Sequence, residues 1–185
     1  MRSAGELRLA GLAADVAAVT SGTLPRGATG ALCGGVSGPG RKLAAAPAER
    51  PLLKQYVQDM VRAFGQDRRV VAWDLFNEPI NVAATGRPAW LREISAWARE
   101  AAPQQPLTMS VWNGNREVNE VMLAESDVVS FHLYGNYEAL WRRIAEMKKH
   151  GRPVICTEWM ARLQGSRWAT DLPLFKREGV GCYSW

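Results

Sequence analysis

From about residue 50 onward, two kinds of apolar pattern alternate along the chain. Apolar side chains between Leu53 and Phe64 recur at spacings of 3, 4, 7, 8 and 11, which places them on one face of a helix. The run RVVAWDLF that follows is continuously apolar, which is typical of a strand buried on both faces. The alternation continues to residue 185 and predicts five helices and five strands. The helices cover about 53–64, 88–101, 118–124, 138–149 and 168–177, and the strands end near 77, 112, 133, 158 and 185.

The gaps between successive strand ends are 35, 21, 25 and 27 residues. Each gap is long enough for a helical crossover, so the sheet is predicted to be parallel, with right-handed connections. The fold class is therefore α/β.

The first part of the chain has a different composition. All sixteen aromatic residues lie at or after Tyr56, and nine of the seventeen glycines lie in the first 40 positions. We interpret 1–45 as an irregular, disordered or non-native segment, and 46–185 as the folded domain. One hypothesis is that much of 1–35 comes from a shifted reading frame or a misplaced start. The run Leu7–Val19 is Ala- and Leu-rich, but charged residues interrupt it, which argues against a signal peptide.

Charge and cysteine content exclude several function classes. The net charge is +5, but no Lys/Arg run exceeds two residues, so no nucleic-acid partner is expected. No apolar run approaches the ~18 residues of a membrane span, so no membrane partner is expected either. Three cysteines without a CxxC pair predict neither a zinc site nor a disulfide framework. Localisation, cytoplasmic or secreted, stays open.

Polar side chains concentrate at the carboxyl ends of the predicted strands. In barrel enzymes the active site is built at that end, and a buried charge in a strand needs a compensating role. Two glutamates placed there, Glu78 and Glu158, match what glycoside hydrolysis requires: one protonates the leaving oxygen and the other attacks the anomeric carbon. The strand-end residues are Asn77 and Glu78, Trp112 and Asn113, His132 and Tyr134, Glu158, and Trp185.

The motifs VVAWDLFNEP, VVSFHLY and PVICTEW together resemble clan A glycoside hydrolases, in particular family 5 and its cellulase-like relatives. The resemblance covers about residues 50–185. It implies strands four to eight of a (β/α)8 (TIM) barrel, truncated at both ends. The 80 residues between the two glutamates fit three βα units of about 25–30 residues.

The resemblance also implies residue roles in a retaining mechanism. Glu78 would be the acid/base and Glu158 the nucleophile. Asn77 would bind the sugar 2-hydroxyl, and Tyr134, with His132 in the same motif, would orient the nucleophile. Trp185 would form a sugar platform.

Trp112 and Trp159 have two readings, because a tryptophan either stacks on a sugar face or fills a core. We assign both provisionally to substrate binding. No metal and no organic cofactor is expected, since two carboxylates suffice for the chemistry.

Two functional readings remain open for the domain. The first is a retaining β-glycosidase acting on a β-linked glucan, mannan, xylan or related oligosaccharide. The second is a non-catalytic carbohydrate-binding fragment of such an enzyme. An open five-strand arc would leave edge strands unpaired, which favours self-association and low activity. A nucleotide-binding α/β domain is disfavoured, because no GxGxxG motif follows a strand.

Overall fold

The computed structural model describes residues 8–11, 47–76, 78, 88–112 and 114–184. Within these ranges, helices and strands alternate. The strands are β1 (Arg8–Gly11), β2 (Val70–Asp74), β3 (Leu107–Thr108), β4 (Val129–His132), β5 (Val154–Glu158) and β6 (Gly181–Cys182). The helices are α1 (Arg50–Phe64), α2 (Pro88–Glu100), α3 (Arg116–Glu125), α4 (Tyr137–Lys148) and α5 (Trp168–Glu178), with short 3-10 turns at Pro47–Glu49 and Arg162–Gln164.

All strand pairs are parallel. They form two three-stranded sheets, β1-β2-β3 and β4-β5-β6, in chain order. A single parallel bridge between Val111 and Phe131 links the two sheets. Strands in sequence order with a helix between neighbours are the repeat of a (β/α)8 barrel, and the predicted fold class is confirmed as part of that fold.

Strand β1 was not predicted from the sequence, and with it the described residues contain six strands where five were expected. It pairs in parallel with β2 inside the segment that the sequence reading treated as irregular. Four residues without aromatic or clear alternating character carry too little local signal for detection, and their pairing partner lies about 60 residues away. The rest of that segment lies outside the described residues, so the boundary at residue 45 stays a prediction.

Local side-chain chemistry explains where several helices begin and end. Asn115 and Asn136 each precede a helix and accept a hydrogen bond from a backbone N–H in its first turn, at Val118 and Ala139. These caps satisfy donors that the helix itself leaves free. Helix α5 stops at Gly179, whose φ of 64° suits glycine and ends the helix.

The strands have two buried faces of opposite character. On the helix face, Trp73, Phe131 and Cys156 are fully buried and pack in one apolar core with residues of the helices. The other face carries polar side chains that are buried as well. We name five of them the interstrand cluster: Asp74, Thr108, Ser110, Ser130 and Thr157.

Within the described residues, no helix has the length and apolar character that crossing a bilayer demands.

Candidate active site

Glu78 and Glu158 come together at the carboxyl ends of β2 and β5. Glu158 is the last residue of β5, and Glu78 lies four residues beyond the end of β2. Glu78 adopts a φ of 45°, which is uncommon for a residue other than glycine. Such backbone conformations persist where the surrounding structure holds a side chain in a functional orientation.

His132 lies between the two carboxylates. Its Nδ1 atom is 2.8 Å from Glu78 Oε1 and 3.7 Å from Glu158 Oε2. The imidazole side chain is only 3% exposed, whereas the side chains of Glu78 and Glu158 are 25% and 13% exposed. The two carboxylates therefore keep limited access to solvent, whereas the imidazole of His132 is almost completely shielded from it.

Tyr134 donates a hydrogen bond from its hydroxyl to Glu158 Oε2. Burial, this hydrogen bond and the negative charge of Glu158 together raise the pKa of Tyr134 far above its usual value. The phenol therefore stays protonated and acts on Glu158 as a donor. A donor aimed at a carboxylate favours its ionised form.

A β-bulge aligns Glu158 with His132. Along β4 and β5, Phe131 pairs with Cys156, but the next residue, His132, pairs with Glu158 instead of Thr157. Strand alternation after Cys156 turns Thr157 toward the interstrand cluster, and the extra residue on β5 brings Glu158 beside His132 on the same face. Bulges commonly re-aim side chains in this way next to active sites.

The interstrand cluster lies on the same strands as the catalytic candidates and was not found from the sequence. Its members are hydroxyl residues and one aspartate that looked like ordinary strand positions. The signal available was Asp74 itself, a charged residue inside the apolar run VVAWDLF. Burial raises the pKa of Asp74 to about 6, although the charge of His132 and the hydrogen bond from Ser110 work in the opposite direction.

The structure corrects the assignment of Trp159 to substrate binding. Its side chain is 1% exposed and packs edge-on against Trp168 and Phe175, with ring centroids 4.8 and 5.3 Å away. A ring enclosed by helix-packing residues offers no free face to a sugar. Trp112 is half-buried, and its indole N–H is buried without a hydrogen-bond partner among the described residues. Its role stays a prediction.

Two predicted site residues, Asn77 and Trp185, lie outside the described residues, as does Asn113.

Glu78, His132 and Glu158 also form a group that could hold a metal ion, which the sequence reading did not expect. One ligand atom from each lies within 4.8 Å of the other two. The 2.8 Å between His132 Nδ1 and Glu78 Oε1 is a hydrogen-bond distance. It is shorter than the roughly 3.3 Å that separates tetrahedral zinc ligands bound at 2.0–2.1 Å. The geometry favours a hydrogen-bonded pair over a coordination site.

Several solved structures with a similar fold are β-glucuronidases. A β-glucuronidase 2 from Bacteroides uniformis, covalently bound to cyclophellitol-6-carboxylate aziridine, aligns with a TM-score of 0.59 at 16% identity, over 76% of this chain and 22% of that one. A β-glucuronidase from Ruminococcus gnavus, in complex with an N1-substituted uronic isofagomine, aligns with a TM-score of 0.52 at 19% identity, over 75% and 30%. The β-glucuronidase of Faecalibacterium prausnitzii gives 0.51 and 18%, over 71% and 27%.

These likenesses show the fold, and the chain spans less than a third of the length of each of these enzymes. A search of curated protein sequences finds no match. The family described as "Cellulase (glycosyl hydrolase family 5)" matches residues 37–185, which is most of the chain. The chain therefore belongs to glycosyl hydrolase family 5.

Proposed function

We propose that this protein hydrolyses β-glycosidic bonds with retention of anomeric configuration, using Glu78 as acid/base and Glu158 as nucleophile. The observation that carries the proposal is the separation of the two carboxylates, whose nearest oxygens lie within 4.8 Å. Retaining enzymes place the two carboxyl groups about 5–5.5 Å apart, whereas inverting enzymes need about 6.5–9.5 Å to admit a water molecule.

The hydrogen-bond partners support this division of roles. Glu158 accepts from Tyr134, which keeps its own proton and favours an ionised, nucleophilic carboxylate. Glu78 instead shares a hydrogen bond with His132 Nδ1, and either group can carry the proton, depending on the imidazole tautomer. An acid/base residue must both give up and recover a proton, which such a partner permits.

The reaction would proceed in two balanced steps. Glu158 attacks the anomeric carbon and forms a glycosyl ester, while Glu78 gives its proton to the departing glycosidic oxygen. Glu78, now ionised, then removes a proton from water. That water attacks the anomeric carbon, releases Glu158, and yields a sugar of the original configuration.

Covalent trapping tests the proposal most directly. The purified chain is incubated with 2-deoxy-2-fluoro β-glycosides that carry an activated leaving group, and peptides are analysed by mass spectrometry. We expect a glycosyl adduct on Glu158, and NMR of early product from an unmodified substrate should show the β-anomer first. An α-anomer as first product would refute retention.

The matched controls are Glu158→Gln and Glu120→Gln. Glu120 lies on α3 with its side chain 60% exposed, so its substitution leaves the site untouched. Turnover that survives in Glu158→Gln would identify a contaminating hydrolase. Sugar binding without turnover in the unmodified chain would support the alternative of a non-catalytic carbohydrate-binding fragment.

The substrate panel follows from the family and the neighbours. Family 5 is described as cellulase, which places β-glucans first. The structural neighbours are β-glucuronidases, so an aryl β-glucuronide belongs in the panel as well. We propose a neutral β-linked glucan, mannan, xylan or related oligosaccharide as the substrate, and preference for the glucuronide would overturn that choice.

A further inference from the structure

We propose that at mildly acidic pH the interstrand cluster holds Asp74 in its neutral, protonated form, and that in this form it is a positioning residue for Glu158. The inference rests on the proposed function for its catalytic consequence, but the protonation state stands on the geometry of the cluster alone. Asp74 is at the end of β2 and is buried, and Thr157 directly precedes Glu158 on β5.

Five short oxygen–oxygen contacts hold the cluster together. Each is at hydrogen-bond distance and so requires one proton between its two oxygens. The contacts are Asp74 Oδ2–Ser110 Oγ at 2.8 Å, Ser110 Oγ–Thr157 Oγ1 at 2.8 Å, Ser110 Oγ–Ser130 Oγ at 2.8 Å, Ser130 Oγ–Thr108 Oγ1 at 2.6 Å, and Thr108 Oγ1–Val128 O at 2.7 Å.

Four hydroxyl groups supply only four protons for these five contacts. If Asp74 is ionised, Ser110 must donate to it and Thr108 must donate to the carbonyl of Val128. Ser130 then has one proton but faces two acceptors, Ser110 and Thr108. One of these two contacts would bring together two buried oxygens with no proton between them, which is repulsive.

If Asp74 is protonated, each of the five contacts has one donor and one acceptor, and the donors run in order from Asp74 to Thr108. In this form Asp74 donates to Ser110, the reverse of the bond that the ionised carboxylate accepts from Ser110. Ser110 then donates to Ser130, Ser130 to Thr108, and Thr108 to the carbonyl of Val128. Thr157 donates its own proton to Ser110, which accepts two hydrogen bonds and donates one. The second oxygen of Asp74 remains free to accept the N–H of Phe76, at 3.4 Å.

The burial of Asp74 also favours its protonated form. Removal from water disfavours the charged carboxylate and raises the pKa of Asp74 to about 6. The charged groups that act on it from neighbouring strands are His132 on β4, which lowers the pKa, and Glu158 on β5, which raises it. A neutral Asp74 therefore leaves the ionised Glu158 without a competing negative charge beside it. It also holds Thr157, and with it the bulge that aims Glu158 at His132.

The protonation state is tested by carboxyl-carbon NMR of the full chain. The Asp74 signal is assigned by its loss in Asp74→Asn. We expect Asp74 to titrate at least about one unit above the roughly 3.9 of an aspartate in an unstructured peptide. Titration at that ordinary value would overturn the proposal, whether or not the chain proves to be a hydrolase.

The positioning role is tested by kinetics on whichever substrate of the panel is cleaved. Asparagine keeps the shape and the donor of a protonated aspartate, so Asp74→Asn should retain kcat within about threefold, whereas Asp74→Ala and Ser110→Ala should lower kcat about tenfold with little change in KM. The activity of Asp74→Asn relative to the unmodified chain should rise as the pH passes through the range in which Asp74 ionises. Equal losses in Asp74→Asn and Asp74→Ala would show that the charge is required and would refute the role.

The Ser110→Ala variant leaves the carboxyl group intact and so covers the case in which Asp74→Ala fails to fold. If no substrate is cleaved, the proposed function fails and the NMR titration still decides the state of Asp74. If cleavage is normal but Asp74 titrates at the ordinary value of an aspartate, only the inference on Asp74 fails.

Discussion

The two faces of the same strands are both buried, yet they are built from different chemistry. The helix face carries Trp73, Phe131 and Cys156 and is sealed by apolar packing. The opposite face carries the interstrand cluster and, at the strand ends, His132 and the catalytic candidates. An apolar core is sensitive to changes in side-chain volume, because its side chains are closely packed. A buried hydrogen-bonded cluster is destabilised when one donor or one acceptor is removed, because a polar group is then left unsatisfied. Substitutions on the two faces should therefore have separable effects.

The largest effect is expected from Glu158→Gln. Under the proposed mechanism Glu158 forms the covalent intermediate and has no substitute, so its removal should lower kcat on the order of 10⁴-fold or more. The midpoint of urea unfolding should change little, because the glutamine keeps the shape of a partly exposed side chain. Initial-rate kinetics measure the change in kcat, and urea denaturation measures the change in stability. A large loss of stability in Glu158→Gln would show that the two faces do not have separable effects.

Phe131→Ala tests the helix face. Its ring is fully buried between the strands and the helices, so truncation should lower the free energy of unfolding by about 3–5 kcal/mol. Any fraction that stays folded should keep the active-site chemistry, because the ring points away from the carboxylates. Denaturant titration gives the stability. An unchanged free energy of unfolding would show that the ring of Phe131 is not packed in a closed core.

The variant Asp74→Asn tests how the charge of Asp74 affects the free energy of unfolding as the pH changes. Because burial raises the folded-state pKa of Asp74 to about 6, above the roughly 3.9 of an unfolded chain, the folded state binds the proton more tightly. This contribution to stability is fully present below about pH 4 and is lost as the pH rises through about 6. The lost stability amounts to about 3 kcal/mol for two pKa units.

Urea unfolding of the unmodified chain and of Asp74→Asn at several pH values from 4 to 8 gives the comparison. The variant lacks the titrating group, so the difference between the two proteins should change across that window. Parallel curves would mean that Asp74 ionises at its ordinary value.

Tyr134→Phe should have a moderate effect on the polar face alone. The phenol donates to Glu158 and stays protonated, so its loss removes one hydrogen bond to the charged nucleophile. We expect kcat to fall about 10-fold, equivalent to about 1.4 kcal/mol, because a hydrogen bond to a charged group contributes about 1.5–3 kcal/mol. Steady-state kinetics measure this loss. An unchanged kcat would show that Tyr134 does not help to orient Glu158.

The smallest effect is expected on the outer surface. Arg50 on α1 contacts both carboxylate oxygens of Glu93 on α2, at 2.7 and 2.9 Å, but both side chains are more than a third exposed. Glu93→Gln should therefore change the free energy of unfolding by less than about 1 kcal/mol. Thermal or urea denaturation checks this value. A larger loss would show that the helix layer depends on charge as well as on packing.

Much of this organisation follows from local patterns. All five predicted helices are present within a few residues of their expected bounds, because a helical apolar stripe and a capping asparagine are local features. The two glutamates were predicted from their positions after apolar strand runs. Strand β1 escaped detection, because a four-residue strand is defined by its partner and hardly by its own composition.

The site was predicted less completely than the elements. Trp159 directly follows Glu158, just beyond the end of β5, yet its ring packs into the helix core against Trp168 and Phe175. The sequence position alone made both readings of this tryptophan equally reasonable. The five members of the interstrand cluster come from four separate segments, and nothing local marks them as partners.

By itself, the sequence determined the alternation of elements, the parallel sheet and the pair of carboxylates at strand ends, because apolar periodicity and strand direction are encoded residue by residue. Only the tertiary structure decided how far apart the carboxylates lie, which of them Tyr134 contacts, and which hydroxyl groups surround Asp74. Those properties depend on the register between strands, including one bulge in β5, and register is set by contacts between distant residues.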